Sequence, residues 1–356
     1  MRDNSNVLII GGAGYIGSAL IQTFLQNSHS VTVYDALYYG NVSALTPYMG
    51  HSDHNKAGSF TFIKGDLVTE DWDKFLANHN FDTVINLAAL VGDPLCKKYP
   101  ELAEEVNKKG AIRIWDACNN NGKIQSFVFV STCSNYGIVD TGSPAKEDSE
   151  LKPLSLYAET KVAVEQHIKE HGDNTTSLMH STILRFSTVF GISSRMRFDL
   201  TISDFVRTLW KTKELLVYDA DTWRPYCHVQ DICHVLHRLA VASTYSEKVA
   251  IFNVGSDAEN YTKRMIVDEI VKTFPDANFK ITYKDGGVDP RDYKVNFQKL
   301  NKSMLLYCYN YIPIAVSIKK VFQSLELGMF SDYESNRNFY GNYNIKGEWG
   351  EYVKDC

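Results

Sequence analysis

No segment of the sequence holds the run of about 20 apolar residues that a membrane helix requires, and no internal repeat or low-complexity tract interrupts it. Cysteine is sparse and poorly arranged for cross-linking. The seven residues, Cys96, Cys118, Cys133, Cys227, Cys233, Cys308 and Cys356, are scattered and odd in number. A secreted disulfide framework is not expected, and a reducing cytoplasm is the expected compartment. The polar opening Met1–Asn6 runs straight into a strand-like segment, so no secretory signal is expected there. A basic excess is missing too: 37 Lys and Arg face 42 Asp and Glu, a net charge of −5. Nucleic-acid binders usually carry a basic face, so that partner class is set aside. What remains is a chain of 356 residues, 44% apolar, able to bury a full core in one large domain or two modest ones.

The first 190 residues alternate β-rich runs with helical stretches. Asn6–Ile10, Ser30–Tyr34, Phe60–Ile63, Thr83–Leu87, Ser126–Val130 and Ser181–Leu184 read as strands, with amphipathic segments such as Ile16–Gln26 and Glu101–Asn119 between them. Such alternation predicts an α/β fold, a Rossmann-type doubly wound parallel sheet with ligands at the carboxyl ends of its strands. Beyond Ser187 the pattern is irregular, although Asp231–Ala242 reads as a helix and Ala250–Val254 as a further strand. The expected division is residues 1–190, joined by about 226–258, for the cofactor, and 191–225 with 259–330 as a smaller, interleaved substrate-binding domain. The tail 331–356 is rich in Tyr, Phe, Asn and Gly, and suits a packed arm, a lid or a partly disordered end.

The strand Val7–Ile10 leads into Gly11-Gly12-Ala13-Gly14-Tyr15-Ile16-Gly17, and a helix follows. Glycines there let the turn close and let backbone approach a pyrophosphate, which the N–H groups and positive end of the helix then hold. A glycine-rich turn alone is weak evidence; strand, motif and helix in this order are what give it weight. Asp35, at the end of the second strand, lies 18 residues past Gly17. A carboxylate there accepts from ribose hydroxyls and repels a 2′-phosphate, which selects NAD over NADP; the plainer reading is an Asp capping a turn. Asp66 and Leu67 after the third strand, and Leu87, Ala88 and Ala89 after the fourth, are further cofactor contacts.

Tyr157-Ala158-Glu159-Thr160-Lys161 supplies the chemistry. Positions i and i+4 share a helix face, so Lys161 sits beside the Tyr157 ring. A phenol, with a pKa of about 10, is a poor base at neutral pH. A nearby ammonium and a positive nicotinamide are expected to lower that value, so that Tyr157 takes a hydroxyl proton while hydride leaves the same carbon. The fifth strand ends in Ser131-Thr132-Cys133-Ser134, where Thr132 can bond the substrate oxygen.

With these strings in place, the chain resembles the extended short-chain dehydrogenase/reductase family, in its nucleotide-sugar epimerase and dehydratase branch, from Asn6 to about Leu327. The resemblance implies that Thr132, Tyr157 and Lys161 are the catalytic set. It also implies an NAD that stays bound, oxidation of a sugar carbon, usually C4, and a homodimer. Asn107 matches a family Asn that supports the catalytic strand and is counted with the cofactor site. Thr188 stands where the family string LRxxNVYG has Asn. Arg224 (in Arg224-Pro225-Tyr226-Cys227-His228) and Arg291 (in Asp289-Pro290-Arg291) match positions that grip a nucleotide diphosphate. A solvated surface role is the alternative for Arg291.

The departures carry information as well. Sugar 4,6-dehydratases of this branch carry Thr-Asp-Glu where this chain has Thr132-Cys133-Ser134, and a thiol and a hydroxyl replace their proton-moving carboxylates poorly. Cys133 is expected to be a small filler. Asp93, in Val91-Gly92-Asp93-Pro94-Leu95-Cys96, either touches a sugar hydroxyl or stabilises its turn. That loop and Ile192–Leu200 resemble a subgroup that includes GDP-heptose 4-dehydrogenases. His228 and Asp231 are expected to be structural, and the spacing of Cys227-His228 and Cys233-His234 matches no usual zinc pattern. The sequence therefore points to an NAD-dependent nucleotide-sugar epimerase or dehydrogenase acting on a nucleotide-diphosphate sugar. The alternatives are a dehydratase with altered acid and base groups and a dinucleotide-sensing protein without catalysis.

Overall fold

Val7 and Ile9 enter one core, and their neighbours Leu8 and Ile10 enter another. Side chains alternate sides along a strand, so a strand apolar at every position must be covered on both faces. The computed structural model, which describes residues 4–51, 58–242, 247–287, 289–303, 306 and 309–345, shows how. In chain order the strands are β1 (Asn6–Ile10), β2 (Ser30–Asp35), β3 (Phe60–Lys64), β4 (Thr83–Asn86), β5 (Ser126–Thr132), β6 (His180–Phe186), β7 (Thr188–Phe190), β8 (Glu214–Tyr218), β9 (Trp223–His228), β10 (Val249–Val254), β11 (Asn260–Thr262) and β12 (Lys280–Lys284). Seven of them form one sheet in the order β10-β6-β5-β4-β1-β2-β3, every neighbouring pair parallel. After β3 the chain returns to the far side of β1, so the order reverses between β1 and β4. That reversal opens a crevice at the carboxyl ends of the strands.

Helices Tyr15–Gln26 and Val229–Ala240 pack together on one face, while Ala111–Asn121 and Leu156–Gly172 cover the other. The six strands expected in the first 190 residues occur, to within two residues at either end. The amphipathic segment Glu101–Asn119 is helical throughout, though not as one regular α-helix. Helical residues Pro100–Ala103 pass into a π-helical turn, Glu104–Gly110, before the α-helix Ala111–Asn121 begins. Such turns carry an extra residue and re-aim a side chain; here the side chain is Asn107, turned onto the backbone of Leu90.

Outside the large sheet, β9 pairs with β7 and β11, and β8 pairs with β12. The tail as far as Ile345 is a packed arm. Tyr333, Phe339 and Tyr340 are buried, and Phe198 sits among the rings of Phe330, Tyr333 and Tyr340. The Phe198 amide donates to the Tyr340 carbonyl at 2.8 Å. Each such buried aromatic is worth about 1.5–3 kcal/mol against exposure, which ties the arm to residues 196–207. Residues 346–356 of that tail lie outside the described residues.

Candidate active site

The turn after β1 is shaped by backbone demands. Gly11 has φ +80°, and a Cβ there would come within 2.7 Å of the Ala88 backbone. A Cβ on Gly17 would meet the Gly12 backbone at 2.5 Å, so the helix can start this close to the turn only with glycine. The helix Tyr15–Gln26 begins with no side-chain cap and no acidic residue in its first turn, which leaves its amides and positive end to an anion. Gly11, Gly14, Tyr15, Ile16 and Gly17 all line the crevice. The Tyr15 ring is buried, and its own hydroxyl donates to the Gly191 carbonyl at 2.6 Å.

Asp35 also lines the crevice and does two things at once. Its carboxylate accepts from the Leu37 amide at 2.8 Å and from the Ala13 amide at 3.0 Å, bracing the glycine turn. Burial pushes its pKa up, while those amides hold the charge. Each oxygen has a second lone pair, so a ribose hydroxyl can still be accepted. Asp66 accepts from the Val68 amide at 2.9 Å and from the Tyr38 hydroxyl at 2.7 Å. Asp66, Leu67, Leu87, Ala88 and Ala89 line the same crevice. Asn107 does not: it is fully buried, accepts from the Leu90 amide at 2.7 Å and donates to the Leu90 carbonyl at 3.0 Å. The expectation of an Asn107 cofactor contact is corrected to that of a brace for the loop behind the crevice. Cradle, brace and free amides suit the pyrophosphate and diol of a dinucleotide. Buried polar atoms around them await partners among the described residues, including Tyr39 Oη, Asn41 Oδ1 and Asn342 Oδ1.

Thr132, Tyr157 and Lys161 meet in the crevice beyond the turn. Thr132 closes β5, and its hydroxyl accepts from the Ser134 amide at 3.1 Å. Ser155 caps the helix that carries Tyr157 and Lys161 by accepting from the Ala158 amide. The Lys161 ammonium donates to the Val130 carbonyl at 2.8 Å and lies 5.9 Å from the centre of the Tyr157 ring, as the i, i+4 spacing predicted. Burial pushes Lys161 down to about 8, against the pull of Cys96 and Glu165. Tyr157 departs from expectation: burial pushes its hydroxyl above 10, and Cys96 adds to this, while the opposing charges are Arg197 and Arg291. Lys161 donates one of its three N–H groups to Val130, and the charges that oppose burial at the phenol come from Arg197 and Arg291.

Substrate candidates separate into those at the site and those behind it. Thr188, Asp93 and Arg291 line the crevice. Arg291 donates to both oxygens of Asp289 at 2.7 and 2.8 Å and to the Ser134 hydroxyl at 3.1 Å, and lies 3.3 Å from Asp93. The solvated role for Arg291 is excluded by these bonds. Arg224 does not line the crevice. It is buried on the Tyr293 ring, pairs with Asp289 at 3.0 Å and donates to the Trp223 carbonyl, so its predicted contact with a diphosphate is corrected to support of Asp289. Burial works against the Asp289 charge, but the two guanidinium groups outweigh it and hold the carboxyl well below its usual range.

The neighbours expected to be structural are so. The Cys133 thiol donates to the Arg185 carbonyl at 3.2 Å, and burial pushes it far up, away from thiolate. His228 Nδ1 accepts from the Gln230 amide and caps Val229–Ala240, while Asp231 accepts from the Tyr309 hydroxyl and the Ile312 amide. Two features escaped the sequence reading. Arg195 and Arg197 enter the crevice from residues 192–200, within a segment singled out only for its resemblance. Glu165 anchors a buried network with Ser131, Asn135 and Arg185. Its place four residues after Lys161, on the same helix face, was the available signal.

Comparison with known proteins agrees with this geometry. The model of the NAD dependent epimerase/dehydratase family matches residues 7–255. A UDP-glucose 4-epimerase of Lactobacillus helveticus is 35% identical over 191 residues, 53% of this chain and 53% of that protein, so the chain spans about half the length of that relative. A UDP-glucose 4-epimerase of Corynebacterium glutamicum is 27% identical over 277 residues, covering 74% of this chain and 78% of that one. The solved UDP-glucuronic acid 4-epimerase of Bacillus cereus, in complex with UDP-glucuronic acid and NAD, shares the fold with a TM-score of 0.76, at 22% identity over 90% of this chain and 99% of its own. On the length of the family match, and on the glycine turn, Asp35 and the Tyr157/Lys161 pair that it spans, the chain belongs to the NAD dependent epimerase/dehydratase family.

Proposed function

We propose that this chain oxidises a sugar hydroxyl, at C4 of a nucleotide-diphosphate sugar, with Tyr157 as the base. The observation that carries the reading is the convergence of Thr132, Tyr157 and Lys161 in the one crevice that also holds the glycine turn. NAD, when bound, supplies the acceptor for the hydride and its donor on return. Tyr157 takes the hydroxyl proton, and Thr132 holds the same oxygen by a hydrogen bond. Lys161, fixed on the Val130 carbonyl, keeps the helix face and its charge against the cofactor side of Tyr157. Arg197 and Arg291 favour the phenolate against burial.

Arg291, Ser134 and Asp93 form the polar wall for the sugar or its diphosphate. No carboxylate occupies residues 133 or 134, and the Ser134 hydroxyl is engaged by Arg291. The acid and base that dehydratases carry at those two positions are absent and Asp93 is held by Arg291, so the reading stops at a ketone or its return as an epimer. The two relatives, both UDP-glucose 4-epimerases, favour a UDP-hexose and epimerisation. The assignment of 1–190 with 226–258 to the cofactor, and of 191–225 with 259–330 to the sugar nucleotide, is supported by Arg197 and Arg291 reaching the crevice from the second set. A cytoplasmic homodimer is the working form in this reading. The free thiols Cys96, Cys118, Cys133, Cys227 and Cys233 suit a reducing compartment, and no helix among the described residues is long and apolar enough to cross a membrane.

The test is incubation of the protein with UDP-, GDP- and dTDP-sugars, following NADH absorbance and identifying products by NMR. A new C4 stereoisomer with no lasting NADH supports epimerisation. A ketone with stoichiometric NADH supports net oxidation. A 6-deoxy-4-keto product overturns the reading in favour of a dehydratase.

A further inference from the structure

Arg195 is a buried cation without a carboxylate. Its residue exposure is 2%, and it forms no ion pair among the described residues. Its guanidinium donates to the Gly341 carbonyl at 3.2 Å, and its face covers the Tyr39 ring at 4.4 Å. Nε is buried and has no partner among the described residues. The nearby carboxylates are committed elsewhere: Asp199 takes Arg197 in a two-point pair at 2.9 and 2.6 Å, and Asp35 takes two backbone amides. Burial, reinforced by the Arg197 charge, pushes Arg195 down to about 10. A guanidinium taken out of water with no anion is expensive, and such a group persists where a ligand completes it.

The position of Arg195 names the ligand. Residues 191–195 are laced to the start of the glycine-turn helix. The Tyr15 hydroxyl donates to the Gly191 carbonyl, Ser193 Oγ donates to the Tyr15 carbonyl at 2.6 Å, and the Arg195 amide donates to Ser18 Oγ at 3.3 Å. Arg195 thus lines the same crevice as the uncapped helix N-terminus and Asp35. Two independent features, the uncapped helix start and a guanidinium with a buried Nε lacking a partner among the described residues, border one crevice.

We propose that Arg195 closes over the pyrophosphate of NAD, opposite the glycine turn, and that the C-terminal arm holds it there through Gly341. The inference rests on NAD occupying the glycine turn and not on the identity of the sugar. Arg195 is thus a cofactor-retention residue supplied about 180 positions away from the fingerprint, and the arm acts as its support.

The test is NAD binding to Arg195→Met by calorimetry, beside adenosine, which has no phosphate, and UDP, which carries the diphosphate of a nucleotide sugar. Loss of a charge-assisted hydrogen bond pair weakens NAD by about 10- to 100-fold, while adenosine and UDP stay within about twofold. Unchanged NAD affinity overturns the proposal. Equal losses for NAD and adenosine overturn it too, since they report a collapsed site. A loss for UDP alone assigns Arg195 to the diphosphate of the substrate instead. Arg195→Lys covers the case in which Met prevents folding: it keeps the charge but not the fork, and an intermediate NAD affinity supports the clamp while wild-type affinity counts against it.

Discussion

Glu165 and Arg185 form a buried two-point ion pair directly behind the catalytic strand, with guanidinium-to-carboxylate distances of 2.6 and 3.1 Å and side-chain exposures of 1% and 3%. Glu165 also accepts from Ser131, the neighbour of Thr132, and from Asn135, while Arg185 donates to the Tyr136 hydroxyl and the Glu147 carbonyl. The pair thereby binds the Tyr157/Lys161 helix to the end of β5 and to β6. Removing one partner leaves a buried charge alone, at a cost of about 3–5 kcal/mol. Glu165→Gln is expected to lower denaturant stability by that order, measured by urea unfolding. A change below about 1 kcal/mol would show that the pair is not a structural tie.

Tyr157→Phe removes the proton acceptor and little volume. Turnover on an identified nucleotide sugar is expected to fall by about 100- to 10,000-fold, with bound NAD retained in the purified protein. Product formation at the wild-type rate would mean that another group, with Thr132 the nearest alternative, takes the proton.

Asp35→Ala removes both the ribose acceptor and the brace on Ala13 and Leu37. NAD affinity is expected to fall by about 10- to 100-fold and the preference for NAD over NADP to shrink, as read by titration with each. A preference left intact would assign cofactor selection elsewhere.

His228 is buried and neutral, with its Nδ1 accepting from Gln230, and burial pushes it down to about 4. In the unfolded chain the imidazole binds its proton near 6.5. Between those values the unfolded state holds more protons, so stability rises with pH across about 4 to 6.5 and is lost as pH falls through that window. His228→Asn keeps a capping acceptor but cannot be protonated. The drop in stability between pH 7.5 and pH 5 is expected to be smaller in this variant by about 2 kcal/mol. Equal drops in both proteins would show that His228 does not report acid sensitivity.

Much of this molecule is legible before folding because its signals are local. The glycine turn is a matter of consecutive φ values and close approach, and Asp35 follows it at the end of the adjacent strand. Tyr157 and Lys161 meet because one helical turn separates them. Strands β1 to β6 show as short apolar runs between turns and helices. The helical run Glu101–Asn119 is visible in the sequence, but its π-helical turn is not, because helical periodicity does not reveal one extra residue in a turn. It took the contact of Asn107 with Leu90 to show that turn's purpose.

The strand segments, the dinucleotide fingerprint and the reactive pair are written locally in the chain, since each depends on neighbours within a few residues. Which arginines reach the crevice is settled by packing between distant segments. Arg224 and Arg291 share Asp289, yet one turns onto Tyr293 and the other onto Ser134. Arg195 is placed by bonds to Ser18 and Gly341, which lie 177 and 146 positions away. The acidity of Tyr157 belongs to the same class, because desolvation and charges from 197 and 291 are properties of the assembled cleft. Burial and long-range charge contacts exist only once distant segments pack, and no spacing along the chain encodes them.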